Sequence, residues 1–253
     1  MRIGSFNIKD DYINRKGGIR KNGTSNSLIV SNIILKNNFD IIGCQELTYK
    51  FKKLMKKKLS DYKFYGNYRF GNLFARLPYN ENNNIITNKK VIFKKTYKLP
   101  MFPKKFDDLK VLIKKHALLP RIATLVIFEY NDELICIINT HLNNRIPDIR
   151  EKQLKKLIKI IDIYYKKYPI IITGDFNMEA SVKIFKDFIN NLEKYNLKHV
   201  DFIKNTFRNN EGVNYSLDHI FIPNYWKVKY TKIINSKGSS DHNYLCVDVE
   251  VKN

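Results

Sequence analysis

The apolar positions of the chain fall into short runs with two distinct periods. Arg2–Phe6, Asp40–Cys44, Asn84–Thr87 and Val91–Lys94 read as strands. Over Ser27–Leu35, the residues Leu28, Ile29, Ile33 and Leu35 gather on one side at helical spacing. Leu47, Phe51, Leu54, Met55 and Leu59 recur at i, i+4, i+7, i+8 and i+12. That spacing predicts an amphipathic helix with Lys52, Lys53, Lys56 and Lys57 among its other positions. Pro100–Pro120 reads as a connection holding one short helix. Arg121–Phe128 and Leu134–Thr140 form the strongest strand pair, with turn-forming Asn131-Asp132 between them. Leu154, Leu157, Ile158, Ile161 and Tyr165 mark a helix, Pro169 ends the segment, and Ile170–Thr173 follows as a buried strand. Val182, Phe185, Phe188, Ile189 and Leu192 mark another helix; Leu217–Ile222, Trp226–Ile233 and Tyr244–Val251 are late strands. Helices between strands, plus hairpins, predict an α/β protein with mixed sheets. With no repeat and no linker, one domain over residues 1–253 is the simplest partition.

Several apolar runs begin or end in residues that bind metal or move protons. Phe6 is followed by Asn7, Cys44 by Gln45-Glu46, Thr140 by His141, and Gly174 by Asp175-Phe176-Asn177. Asp218-His219 and Asp241-His242 stand just before apolar strands. A single Asp or Asn after a strand is usually a turn or cap residue. Six such clusters, supplying carboxylates, amides and histidines, favour a shared cleft over coincidence. His219 reads as an ordinary sheet histidine, His116 and His199 as structural or surface residues, and Asn72, Asn82 and Asn210 as loop asparagines. Glu46, Asp175 and Asp241, with the amides of Asn7 and Asn177, are hard oxygen ligands suited to Mg²⁺ or Mn²⁺. The cysteines lack the CxxC spacing of a structural zinc site. Nucleotide-binding GxxxxGK[ST] and GxGxxG loops and a GxSxG elbow are also absent. Hard ligands beside two histidines point to attack on a phosphate ester.

Charge adds one element. The chain has 253 residues with 46 Lys and Arg against 24 Asp and Glu, a formal charge of +22. That surplus suits a polyanion such as nucleic acid, and equally a Lys-, Asn- and Ile-rich composition of AT-rich codons. No run reaches the ~20 apolar residues of a membrane helix, and the N-terminus lacks the apolar core of a signal peptide. Cys44, Cys136 and Cys246 each lie in an apolar run and read as buried free thiols. A reducing, cytoplasmic compartment is the expectation.

The motifs together resemble the endonuclease/exonuclease/phosphatase superfamily, which includes deoxyribonuclease I. The resemblance is carried by Ser5-Phe6-Asn7, Gln45-Glu46, Asn83–Thr87, Arg121, Thr140-His141-Leu142, Gly174-Asp175-Phe176-Asn177, Leu217-Asp218-His219-Ile220 and Ser240-Asp241-His242, in the family's order. It implies a four-layer sandwich: two mixed β-sheets face to face, helices outside, and a site at one end of the sheets. By position, Glu46 is implied as principal metal ligand, with Asn7 and Asp241 nearby in the metal shell. Asp175 is implied to orient or deprotonate the attacking water, and Asn177 to hold the water or a phosphoryl oxygen. Asp218 is implied to fix the ring of His242, and His242 to contact the scissile phosphate as base or charged stabiliser. His141 is implied to bind phosphate or assist the leaving group; Asn83 and Arg121, at weaker family positions, are implied to be site-adjacent and to touch substrate. His141 departs from the tyrosine usual in exonuclease III-type enzymes. Three functions follow as expectations: a Mg²⁺-dependent nuclease acting on DNA or RNA, the same chemistry on a small-molecule or lipid phosphoester, and a non-catalytic nucleic-acid binder. For the second, no exposed apolar hairpin is evident in the sequence.

Overall fold

The computed structural model describes residues 1–9, 26–77, 80–114, 119–203 and 205–252; His116 lies outside them. The chain begins β1 (Arg2–Asn7), α1 (Asn26–Asn37), β2 (Ile41–Leu47), α2 (Tyr49–Lys58), β3 (Lys63–Tyr65), β4 (Asn82–Thr87) and β5 (Val91–Leu99). It continues α3 (Phe106–Lys114), β6 (Arg121–Tyr130), β7 (Glu133–His141), α4 (Pro147–Tyr164), β8 (Ile170–Asp175) and α5 (Lys183–Leu192). It closes with β9 (Leu197–His199), β10 (Phe207–Arg208), β11 (Asn214–Tyr215), β12 (Asp218–Pro223), β13 (Lys227–Ile234) and β14 (Tyr244–Glu250). Two six-stranded mixed sheets result, ordered β13-β14-β1-β2-β4-β3 and β5-β6-β7-β8-β12-β9, with β10-β11 as a separate ribbon.

Strand alternation divides the apolar residues among three cores. On β2, Ile42 and Cys44 pack under α1 and α2 with Val30, Ile34, Phe51 and Met55. The neighbouring Ile41 points between the sheets, among Ile3, Ile85, Val126, Ile137, Ile171, Ile220 and Trp226. On the far side, Leu125, Ile138, Ile172 and Phe221 meet Leu157 and Ile161 of α4 and Phe185 and Phe188 of α5. The order helix, sheet, sheet, helix is the four-layer α/β sandwich that the resemblance implies. A one-residue slip of β2 would exchange Ile41 with Ile42 and misplace each, so burial on both faces fixes the register.

Local chemistry sets the ends. Asn131 and Asp132 take φ of +49° and +64°, the left-handed pair that a two-residue hairpin turn requires, and join β6 to β7. The period that predicts a helix from Leu47 meets a boundary: Leu47 ends β2, and the Thr48 side chain accepts a hydrogen bond from Phe51 N to start α2. Asn82 is not a loop residue; it opens β4 and is buried, because β2 and Tyr68 both pair with it. The β3–β4 connection, by contrast with the expectation of no apolar projection, exposes Phe70, Leu73, Phe74 and Leu77. Among the described residues no helix is long and apolar enough to cross a membrane.

Candidate active site

Strand polarity gathers the polar strand ends. β1 runs parallel to β2 and β7 parallel to β8, so Asn7 pairs with Gln45 and His141 with Asp175 at the carboxyl ends of both pairs. β12 is antiparallel to β8, which sets its first residue, Asp218, opposite Asp175. The turn before β14 is held to β1 by Ser240 Oγ, which donates to Asn7 O at 2.8 Å. Beneath this edge the two sheets are tied by polar groups. Gln45 Nε2 donates to Asn139 Oδ1 at 2.7 Å, Thr173 Oγ1 to the same oxygen at 3.2 Å, and Asn139 Nδ2 to Cys44 O and Asn84 O. Gly43 permits this approach: a Cβ there would stand 2.2 Å from Thr173 Oγ1 and 2.6 Å from Asn139 Oδ1.

Two backbone departures aim side chains into the cleft. Glu46 lies in a bulge between Cys44 and Leu47 with φ +59°, a left-handed conformation that costs a non-glycine residue ~1–2 kcal/mol. Asn177 has φ +53°, which asparagine tolerates. Its N–H donates to Asp175 Oδ1 at 2.9 Å and its Nδ2 to Leu142 O at 3.0 Å.

At the centre, Asn7 Nδ2 donates to both Glu46 Oε1 at 3.1 Å and Asp175 Oδ2 at 2.9 Å. His141 lies on the same two oxygens, with Nδ1 3.8 Å from Glu46 Oε1 and Nε2 3.5 Å from Asp175 Oδ2. Arg121 Nη1 stands 3.0 Å from His141 Nδ1. On the opposite side, His242 Nδ1 donates to Asp218 Oδ2 at 2.8 Å, leaving Nε2 3.8 Å from Asp175 Oδ2 and 4.0 Å from Asp241 Oδ1. Phe207 packs on the His242 ring at 4.7 Å between centroids.

Burial and neighbours set the charges. Burial, then the charge of Glu81, pushes the Glu46 carboxyl up to about 7, although 23% of its side chain remains open at the cleft mouth. Burial, then repulsion from Asp218 against the counter-pull of His242, pushes Asp175 up to about 6. Burial holds His141 well below the ordinary histidine range, and Arg121 pushes it the same way. Burial opposes the charge of His242 too, but Asp218, Asp175 and Asp241 together outweigh it and raise the ring to about 10.

Seven of the predicted residues therefore meet directly: Asn7, Glu46, His141, Asp175, Asp218, Asp241 and His242. Asn177 joins through Asp175 and Arg121 through His141. Asn83 is the exception in kind: it is buried, and its Nδ2 donates to Ile122 O at 2.7 Å, tying β4 to β6. His219 is the sheet histidine expected, with Nδ1 2.9 Å from His199 Nε2 and Nε2 2.8 Å from Met178 O. Three residues escape sequence reasoning. Lys9 Nζ pairs with Asp241 Oδ2. Buried Arg69 pairs with Glu81 at 3.0 Å and acts electrostatically on Glu46 and His141. Asn139 ties the sheets. The Phe6-Asn7 and Asn83 motifs lie two residues from Lys9 and Glu81 respectively, but nothing in the spacing announces such pairings.

Two groups of side chains offer hard ligands. Asp175, Asp218 and His242 present ligand atoms all within 4.8 Å of one another. In that group, however, His242 already donates to Asp218 and carries charge, which makes its ring a poor ligand. Glu46 and Asp175 share one amide donor, and burial raises both carboxyls. The Glu46 side of the cleft therefore fits a hard divalent ion better; Asn7 now turns its N–H to the carboxylates and its Oδ1 to Lys9 N, so its amide would turn over to ligate.

Comparisons with known proteins give the family and the fold. The family model described as "Endonuclease/Exonuclease/phosphatase family" matches residues 5–242. No curated protein matches the chain by sequence. Among solved structures, a mannosyl-6-phosphatase from Bacteroides thetaiotaomicron aligns at TM-score 0.77 and 21% identity, covering 99% of this chain and 100% of that one. The catalytic domain of human Nocturnin with bound sulfate aligns at TM-score 0.71 and 19% identity, covering 99% and 93%. D. rerio TDP2 with a single-strand DNA product aligns at TM-score 0.71 and 15% identity, covering 99% of each chain. At these identities the likeness is one of fold.

Proposed function

The chain belongs to the endonuclease/exonuclease/phosphatase family of phosphoester hydrolases, and on that premise we propose that it is a Mg²⁺-dependent phosphodiesterase that cleaves DNA or RNA. The observation that carries this reading is the shared Asn7 amide, which brings Glu46 and Asp175 together beneath two histidines in opposite charge states. Glu46, Asn7 and Asp241 would hold the metal. Bound there, Mg²⁺ or Mn²⁺ supplies Lewis-acid stabilisation of charge on phosphoryl oxygens. Asp175, its Oδ1 fixed by the Asn177 N–H, takes a proton from the attacking water or orients it; Asn177 completes the water's position. His242, cationic and pinned by Asp218, stabilises the negative charge that builds on the phosphoryl group. His141, neutral at pH 7, donates a hydrogen bond toward phosphate or the leaving oxygen, with Arg121 as the adjacent fixed cation. The formal charge of +22 supports a polyanionic substrate.

The test is degradation of plasmid, single-stranded DNA and RNA with Mg²⁺, against chelator and against Asp175→Asn. Cleavage that needs both the metal and Asp175 is expected; equal cleavage under all three conditions contradicts the reading. A second reading, hydrolysis of a lipid or small-molecule phosphoester, draws on the exposed Phe70, Leu73, Phe74 and Leu77 of the β3–β4 connection. Turnover of a choline lipid or a chromogenic diester without nucleic-acid cleavage would favour it.

A further inference from the structure

A second cleft opens beside the site, on the outer side of the first sheet. It has a volume of about 500 Å³ and is lined by Tyr49, Lys52, Lys53 and Lys56 of α2, with Gly66 and Tyr68 from the segment after β3, and Asn72 and Ala75. That size lies within the ~300–1,000 Å³ of ordinary ligand sites. Its first lining residue follows Glu46 by three positions. Three Cα–Cα steps span at most ~11 Å, so the cleft begins within a nucleotide or two of the carboxylate centre.

Its charge is one-sided. Lys52 is largely enclosed, with Nζ donating to Asn84 Oδ1 at 2.9 Å and lying 5.6 Å from the Tyr68 ring centre. Among the described residues no carboxylate pairs with Lys52, Lys53 or Lys56. Burial, then Lys56 and Lys94, lowers Lys52 to about 8. Lys56 and Lys94 thus repel Lys52, and an anion in the cleft removes that cost. Behind Lys52, the layer beneath the lining is incompletely bonded. Asn84 Nδ2 is buried with no partner, and so are both amide atoms of Asn82, two residues away on the same face of β4. Tyr49 is half-buried at the wall, and burial raises the Tyr68 phenol to about 12, keeping it a neutral donor with an apolar face.

Lysines interleaved with aromatic rings are the means by which single strands are held without sequence readout: cations follow the backbone and rings stack on bases. We propose that this cleft binds a non-scissile phosphate and its base, one or two nucleotides from the cleaved bond, and so seats a single-stranded nucleic acid across the site. The proposal rests on the nuclease reading above and adds the strand's path to it.

The test measures binding in chelator, where no turnover intervenes. A fluorescent ten-residue oligothymidylate is titrated into wild type, a K53E/K56E variant and a K57E/K58E variant, at several salt concentrations. All four lysines are exposed on α2, so both variants change charge equally on one helix without touching the core. Expected is a tenfold or greater loss of affinity and a flatter salt dependence for K53E/K56E, with less than a threefold loss for K57E/K58E. Equal losses in the two variants, or no loss in K53E/K56E, overturn the proposal, as does binding to anionic vesicles but not to the oligonucleotide. Hydrolysis of single-stranded DNA and RNA by wild type with Mg²⁺ is measured separately. If that hydrolysis fails while the two variants still differ in binding, the nuclease reading falls and the cleft stands.

Discussion

His141 and His242 face the same Asp175 oxygen from opposite sides, and the two environments drive them apart. Both rings are about equally buried, at 4% and 5% exposure. Desolvation alone would leave both neutral. The difference lies in the neighbours: Arg121 stands 3.0 Å from the His141 ring, whereas Asp218 accepts from the His242 ring at 2.8 Å. One residue type thus supplies a neutral hydrogen-bond donor and a fixed cation within one cleft. Separation of two like groups by environment is how a site assigns distinct proton roles.

The largest expected effect comes from removing the charge that both histidines face. Asp175→Asn, and Glu46→Gln beside it, should each slow phosphodiester hydrolysis by about 10²–10⁴-fold. Thermal unfolding of the metal-free variants should move little or rise, because each change removes one of two crowded buried carboxylates. Steady-state rates with melting curves check both parts; full activity in either variant would separate that carboxylate from the chemistry. Next in size is Asp218→Asn, which takes away the partner that holds His242 charged. Hydrolysis should fall about 10–100-fold, and the His242 ring signal in an NMR titration should move down from about 10, with Asp175 and Asp241 still raising it. An unmoved titration would mean that another group holds the charge.

A third effect is expected in stability. Folded Glu46 holds its proton to about pH 7 instead of 4.5, and Asp175 to about pH 6 instead of 3.8. The folded state therefore binds more protons than the unfolded chain across this interval, and their contribution is fully present below about pH 4. It is lost as pH climbs through 6 and 7. His242, also raised, has the same sign between pH 6.5 and about 10. Below pH 6.5 the lowered His141 and His219 act in the opposite sense, since the unfolded chain protonates them and the folded state does not; metal-free protein should therefore melt several degrees lower at pH 8 than at pH 6.5, at roughly 2–4 °C per kcal/mol for a chain of this size. Added Mg²⁺ should restore more at pH 8 than at pH 5. The smallest effect is that of Arg121→Met: the His141 ring should titrate higher by NMR, while burial keeps it neutral at pH 7.

Much of this site is legible in the chain because each key residue directly follows or precedes an apolar run. Asp175 after Ile170–Gly174 and His242 before Tyr244–Val247 sit on strands that periodicity finds, and strand ends cannot wander. Arg69 and Lys9 escape for the converse reason. Arg69 lies in a connection with no period, and its partner Glu81 stands twelve positions on. Asn139 looks like one more residue inside an apolar strand; its role exists only because Gly43 on the other sheet leaves room for it. The short strands β9, β10 and β11 are too brief to carry a period. The cleft beside α2 is hidden because its lysines look like the solvated face of an amphipathic helix, and nothing in the spacing brings Tyr68 against Lys52.

The central claim is that Glu46 anchors a divalent cation beside Asp175. Calorimetric titration of Mn²⁺ into the protein near pH 6.5, in buffers of different ionisation enthalpy, tests it directly. Saturable binding with proton release is expected, since Glu46 is substantially protonated before the ion arrives, and Glu46→Gln should abolish both. Binding of equal strength in Glu46→Gln, or none in the wild type, would contradict it.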